Sequence, residues 1–221
     1  MGREGLFRKK LNQLRTAGAV PQNIKEDTKS RLRELEQGGF LHNVKSTLED
    51  ADPKEMERIT LLDKVTQLYN HSTVTRILND EFKRSKRYKH HCTILMILVD
   101  GLYGIQQNAG HEVADSILRG VADYLMREVR DVDIPARYSG EQLVVVCPET
   151  NAEGVAVLAE RVRTKIPTQR VSDLGQNWYV TVSMGIASYP THADTLEELL
   201  AETEKALNTA LEHGGNSFVI A

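Results

Sequence analysis

Apolar positions along residues 63–221 follow two alternating periods. Stripes at three- and four-residue spacing, typical of helices packed on one face, alternate with short continuous or period-two runs, typical of strands. The runs "CTILMILVD", "LVVVC", "WYVTVSMGIA" and "SFVIA" predict strands. The stripes from Val113 to Val129, from Val155 to Ile166 and from Leu196 to Leu211 predict helices. The alternation predicts an α/β sandwich in which helices flank a central, largely antiparallel sheet.

The first 58 residues contain no strand-like runs and predict a small helical region. Breaks at "AGAVPQ", "QGGF" and "DADP" divide it into three short helices, and Asp52 followed by Pro53 is a typical helix start. Its basic amphipathic beginning, "GLFRKKLNQLR", suits a membrane surface or a partner helix, and packing within the helical unit explains it equally well. We predict a docking or dimerisation region over 1–58 and one principal domain over 59–221.

The composition narrows the function classes. A formal net charge of -3, with 40% hydrophobic and 27% charged residues, indicates a soluble globular protein without a global attraction to nucleic acid. The chain has neither an apolar run near the ~18 residues that span a bilayer nor a secretory leader, so we expect a cytoplasmic protein. Cys92 and Cys147 lie in apolar runs and are expected in the core. His90 and His91 end the basic segment "KRSKRYKHH" without ligand partners nearby, which favours a solvated helix end.

Four short strings carry a family resemblance. In order and spacing, "DKVTQLYNH", "NAGHEVADSILRGVADYL", "VTVSMGIA" and "HGGN" resemble the opening signature, the G-H-x-x-G-D-x-x-L helix, the V-T-x-S-x-G-I-A strand and the G-R-N ending of the GGDEF family. This family is the bacterial diguanylate cyclase domain, which condenses two GTP into cyclic di-GMP. The resemblance covers residues 63–221 and implies a GGDEF, nucleotidyl-cyclase-like sandwich.

The hairpin tip that gives the family its name is altered here. The resemblance implies a metal-binding acid followed by a second acid, whereas this chain has Ser139, Gly140, Glu141, Gln142 and Leu143. Magnesium takes several oxygen ligands, and phosphoryl transfer depends on metal to neutralise charge on the phosphates. A single surviving carboxylate is therefore a poor metal site.

The resemblance also locates the family's other metal ligands and its guanine-reading pair. Leu98 stands where the first aspartate of a D-x-D motif belongs, and Asp100 keeps the second. Gln106 replaces the guanine-reading asparagine by an amide one methylene longer, while its partner is kept as Asp115. The nucleotide pocket is thus altered rather than erased.

Both cations that the family uses for the triphosphate are absent. The late lysine falls on Leu211, and the arginine of the G-R-N string falls on Gly215. Together with Leu98 and Gln142, these replacements remove charge needed for metal or phosphate, and such charge dominates this chemistry. We predict a degenerate domain with no catalytic residues, no metal and no cofactor.

A second family motif is retained. Arg130 and Asp133 match the RxxD inhibitory product site, and the family's interval of five residues separates Asp133 from Ser139. An arginine can donate two parallel hydrogen bonds to the O6 and N7 edge of guanine, and an aspartate can accept from N1 and N2. Arg161, on a following helix, resembles a secondary product-binding arginine. The opposing hypothesis is a solvated surface Arg–Asp pair, which is common and contributes little.

These observations predict a catalytically inactive receptor that binds cyclic di-GMP through Arg130 and Asp133 and signals to an unknown protein partner. Ligand binding could also bring two copies together as a homodimer. The sequence leaves two alternatives open: an interaction scaffold that has lost nucleotide binding, and a protein with residual cyclase activity.

Overall fold

The computed structural model describes residues 9–12, 60–168, 171–173 and 176–221. Most of the predicted helical region over 1–58 therefore lies outside the described residues. The part that is described, residues 9–12, is helical, and Leu11 within it is fully buried. The three-helix division, the helix start at Pro53 and the docking role stay predictions.

From residue 71 onward, the predicted apolar runs fall on strands and the predicted apolar stripes fall on helices. The elements are α1 (His71–Tyr88), β1 (Cys92–Val99), α2 (Leu102–Ala109), α3 (His111–Glu128), β2 (Ile134–Ser139), β3 (Gln142–Pro148), α4 (Ala152–Lys165), a 3₁₀ turn (Ile166–Thr168), β4 (Val171–Asp173), β5 (Gln176–Trp178), β6 (Val182–Tyr189), α5 (Leu196–Glu212) and β7 (Phe218–Ile220).

The main sheet has five strands in the order β2-β3-β1-β6-β7. Its neighbouring strands are antiparallel except β6 and β7, which are parallel. A separate two-stranded ribbon is formed by β4 and β5. The expectation of a largely antiparallel sheet flanked by helices is confirmed. One strand prediction was too long, because Trp178 belongs to the ribbon and β6 begins only at Val182.

The central position of β1 explains its unbroken apolar sequence. It pairs with β3 on one side and β6 on the other, and all its residues except Leu98 are buried. Helix α5 packs closely on β6 because Gly185 has no side chain: a Cβ there would collide with the backbone of Thr203 and Leu207. Cys92 and Cys147 lie in this core as predicted, and burial raises the pKa of Cys92 to about 12.

The hairpin of β2 and β3 separates two regions of chemical interest. At its tip, Gln142 pairs with Leu98 of β1, so the altered GGDEF string lies beside the end of the central strand. At its other end, β2 begins directly after Asp133. Six residues of strand span roughly 20 Å. The tip and the Arg130–Asp133 turn therefore lie at opposite ends of the strands.

Candidate functional site

Arg130 and Asp133 are held in one tight turn between α3 and β2. The Arg130 N–H donates to Asp133 Oδ2 at 2.8 Å, and the Asp133 N–H donates to the Arg130 carbonyl at 3.1 Å. These reciprocal bonds leave the Arg130 side chain exposed, whereas Asp133 is only 3% exposed. The local sequence spacing thus fixes both residues on the same short segment.

A cavity of about 210 Å³ opens beside this turn, against the first turns of α4. Its lining includes Arg130, Asp133 and Arg161, so the structure brings together the residues that the resemblance assigns to product binding. Glu128 and Cys147 also line it. Among the residues that the structure describes, the Arg130 guanidinium has no ion-pair partner. Its forked donors are therefore available to a ligand.

Arg161 is already engaged by Glu128, the last residue of α3. Arg161 Nε lies 2.7 Å from Glu128 Oε2, and Arg161 Nη2 donates to the Glu128 carbonyl at 2.6 Å. Burial, together with the Glu128 carboxylate, raises the pKa of Tyr124 to about 12. Sequence analysis missed Glu128, because nothing in the sequence pairs it with an arginine on the next helix.

Cys147 forms part of the cavity wall beside Asp133. Its thiol is 1% exposed, and burial and the Asp133 carboxylate raise its pKa well above the ordinary range. The Asp133 carboxylate lies close enough to this thiol to act on it electrostatically. The sequence identified Cys147 as a core residue, which is correct, but gave no sign of this second contact.

At the other end of the strands, beside the hairpin tip, the Asp100 carboxylate accepts three hydrogen bonds. It accepts from Thr181 Oγ1 at 2.6 Å, from Ser183 Oγ at 2.7 Å and from the Asn216 N–H at 3.0 Å. Leu98 pairs with Ser183 in the strand register and is packed against the apolar core. The residue that follows the family's D-x-D spacing therefore serves here as a hydrogen-bond acceptor between strands.

The hairpin tip is a tight turn with one acidic residue, Glu141. Ser139 Oγ donates to Gln142 Oε1 at 2.7 Å, and Gly140 adopts a φ of +29°. Leu143 is fully buried. Burial raises the pKa of Glu141, and the backbone N–H of Tyr103 lowers it in part. Within the described residues, no cluster of histidine, cysteine or acidic side chains could hold a metal ion.

The remaining positions assigned by the resemblance carry no positive charge. They are Gln106, Asp115, Leu211 and Gly215. Gln106 Nε2 lies 2.7 Å from His111 Nδ1, and Asp115 is half-buried on α3. Leu211 packs against the core. Gly215 adopts a φ of +76°, and a Cβ there would contact Asp100. An arginine at Gly215 would thus carry backbone strain in this loop.

The structure is an α/β domain with a mostly antiparallel five-stranded sheet flanked by helices, and comparison with known proteins gives its family. The family model described as "Diguanylate cyclase, GGDEF domain" matches residues 60–217. The chain therefore belongs to the GGDEF family.

Individual relatives support this assignment. The chain is 27% identical over 212 residues to the response regulator PleD of Caulobacter vibrioides, covering 95% of this chain and 45% of PleD. It thus spans less than half of that relative. Two solved structures share the fold: diguanylate cyclase SiaD from Pseudomonas aeruginosa, in complex with its activator SiaC (TM-score 0.71, 24% identity, 90% of this chain and 76% of that one), and the coiled coil and GGDEF domain of DgcB from Caulobacter crescentus, in complex with c-di-GMP (TM-score 0.71, 20% identity, 90% and 100%).

No helix among the described residues combines enough length with enough apolar character to span a bilayer.

Proposed function

We propose that this protein is a receptor for cyclic di-GMP without cyclase activity, and that the ligand binds at the cavity beside the Arg130–Asp133 turn. The observation that carries the proposal is the convergence of Arg130, Asp133 and Arg161 on one cavity. Their family positions were assigned from sequence alone, and Arg161 lies on a different helix. A chance RxxD pattern gives no reason for that convergence.

The chemistry of the cavity suits a guanine base. Arg130 offers an exposed fork, without an ion-pair partner among the described residues, for the O6 and N7 edge. Asp133 lies beside it as an acceptor for N1 and N2. The cavity volume of about 210 Å³ is below the ~300–1,000 Å³ of pockets that enclose a drug-sized ligand. We infer that one base enters the cavity and that the rest of the cyclic dinucleotide lies on the surface.

The residues around the hairpin tip and Asp100 do not support catalysis. Asp100 already accepts three hydrogen bonds, and Leu98 offers no ligand to a metal. Leu211 and Gly215 provide no charge for a triphosphate. Phosphoryl transfer relies on metal ions and fixed cations around the phosphates, so we infer that GTP is not converted here.

A nucleotide-independent scaffold is the second candidate, and one observation favours it. Asp133 is nearly buried, and its Oδ2 already accepts a hydrogen bond from the Arg130 N–H. Fewer lone pairs therefore remain for guanine. In both candidate functions, we infer that the segment before residue 60 contacts a protein partner or a second copy of the chain. A receptor would signal its ligand-bound state through this contact.

Calorimetry with cyclic di-GMP, and separately with GTP and magnesium, tests the proposal. We expect saturable binding of cyclic di-GMP and no formation of cyclic di-GMP from GTP. Failure of cyclic di-GMP to bind at any accessible concentration would refute the receptor function and favour the nucleotide-independent scaffold. Turnover of GTP above trace level would instead show that the region around the hairpin tip and Asp100 is catalytically active.

A further inference from the structure

The cavity beside the Arg130–Asp133 turn contains opposite charges in equal number. Two cations, Arg130 and Arg161, face two carboxylates, Glu128 and Asp133. These four charges cancel, so the cavity offers a phosphate little net attraction. A ligand must instead be recognised by the hydrogen-bonding pattern and the shape of its neutral parts.

Glu128 occupies the edge of Arg161 that normally binds an anion. The Nε and Nη2 atoms of a guanidinium form a parallel pair of donors that matches carboxylate or phosphate. In Arg161 this pair is taken by the side-chain Oε2 and the main-chain oxygen of Glu128, at 2.7 and 2.6 Å. No other hydrogen bond or ion pair engages this guanidinium within the described part of the chain, and its side chain is 46% exposed, which leaves it accessible for stacking on a base.

The location of Glu128 supports a role beyond packing. A carboxylate in the last turn of a helix is disfavoured by the helix dipole. Glu128 is the final residue of α3, and its contact with Arg161 on α4 offsets that cost. Tyr124, one turn earlier, lies close enough to the same carboxylate for its pKa to be raised by it. Glu128 is held by its two contacts with Arg161, and its charge is directed at that guanidinium.

We propose that Glu128 is a specificity-determining residue, which keeps Arg161 from binding phosphate and so makes the cavity select a guanine-containing cyclic dinucleotide over GTP. This inference rests on the proposed function. GTP carries most of its charge in a terminal triphosphate, whereas a cyclic dinucleotide carries two phosphodiester charges and two bases. The described lining of the cavity carries no net charge, and its Arg130 fork has no ion-pair partner among the described residues, which favours the second pattern.

The substitution Glu128→Gln tests this role while keeping an oxygen for Arg161. We measure dissociation constants for cyclic di-GMP, GTP without divalent metal, and inorganic pyrophosphate, each at low and moderate salt. We expect GTP and pyrophosphate to bind at least about tenfold more tightly to Glu128→Gln than to the wild type, which corresponds to ~1.4 kcal/mol. Their affinities for the variant should also depend more steeply on salt concentration. Cyclic di-GMP affinity should change by less than about threefold, because its recognition uses Arg130.

Two variants serve as controls. Glu197→Gln removes the same charge from an exposed position on α5 and should leave all three affinities unchanged. Adding Arg161→Ala to Glu128→Gln should abolish the gained phosphate binding, which locates the gain in this cavity rather than at the hairpin tip. A packing role alone would lower the unfolding temperature of Glu128→Gln without changing the ratio of affinities.

The outcomes separate this inference from the proposed function. If the wild-type protein binds cyclic di-GMP and Glu128→Gln leaves the ratio of GTP to cyclic di-GMP affinity unchanged, the role of Glu128 is refuted and the receptor function stands. If the wild type binds no cyclic di-GMP, but Glu128→Gln gains pyrophosphate binding that depends on Arg161, the receptor function fails and the effect of Glu128 on phosphate binding stands. Absence of any binding in both proteins overturns both.

Discussion

Arg137 of β2 and Asp63, in the segment before α1, form an ion pair with 3.1 Å between Nη1 and Oδ2. The same guanidinium donates through Nε to the Gly140 carbonyl at 2.9 Å. Asp63 also accepts from the Thr66 N–H and hydroxyl, both at 2.8 Å. The opening signature of the family is therefore connected directly to the backbone of the hairpin tip. This connection involves none of the positions that the resemblance assigns to metal or phosphate, so the tip also has a structural role.

We expect Arg137→Ala to lower the free energy of unfolding by about 1–3 kcal/mol, because it removes charged hydrogen bonds and leaves Asp63 without its cation. The two side chains are only 21% and 19% exposed, which limits screening by solvent. Urea denaturation followed by circular dichroism measures the change. The matched control is Arg163→Ala, which breaks a more exposed pair with Glu160 and should have a much smaller effect. Equal losses in both variants would contradict a special role for Arg137.

The second prediction concerns recognition of guanine. Arg130→Ala should weaken cyclic di-GMP binding by roughly ten- to a hundredfold, since a bidentate contact contributes ~1–3 kcal/mol. Arg130→Lys should remain impaired, because lysine keeps the charge but loses the planar fork. Asp133→Ala should also weaken binding, and Glu141→Ala, at the distant tip, should hardly matter. Titration of each variant at fixed salt measures these effects. A larger loss from Glu141→Ala than from Arg130→Ala would exclude this cavity as the site.

The third prediction concerns catalysis. Restoring acids at two positions, Leu98→Asp with Gln142→Glu, should not give full cyclase activity. Leu211 and Gly215 still leave the triphosphate without cations, and charge-assisted contacts are the strong ones in such sites. Chromatographic assay for cyclic di-GMP after incubation with GTP and magnesium checks this. Vigorous turnover by the double variant would show that the phosphate is held by other residues.

The fourth prediction concerns pH and the buried thiols. Burial raises the pKa of Cys92 from about 9 to about 12, so the folded protein keeps this proton at pH values where the unfolded chain loses it. The contribution of this thiol to stability is therefore fully present below pH 9 and declines as pH rises toward 12. In native buffer at pH 8 we expect neither Cys92 nor Cys147 to react with a thiol reagent, and both to react in denaturant. Rapid labelling of the native protein would show that the core opens readily.

The order of secondary structure was largely predictable from the sequence, and the exceptions have a physical cause. β1 and β3 are buried on both faces, and their continuous apolar runs show it. α2 was missed because only Leu102 among its residues is buried, so it has no apolar stripe. The ribbon of β4 and β5 was missed because strands of three residues are too short to show a period.

The sequence by itself determined that Leu98, Leu211 and Gly215 carry no charge, because the identity of a side chain needs no geometry to establish. It also identified the turn of Arg130 and Asp133, since residues three apart meet through local backbone bonds. Only the tertiary structure decided the charge balance of the cavity. The contact of Glu128 with Arg161 forms between two separate helices, and no local pattern encodes it, because such a pair depends on how the helices pack against the sheet.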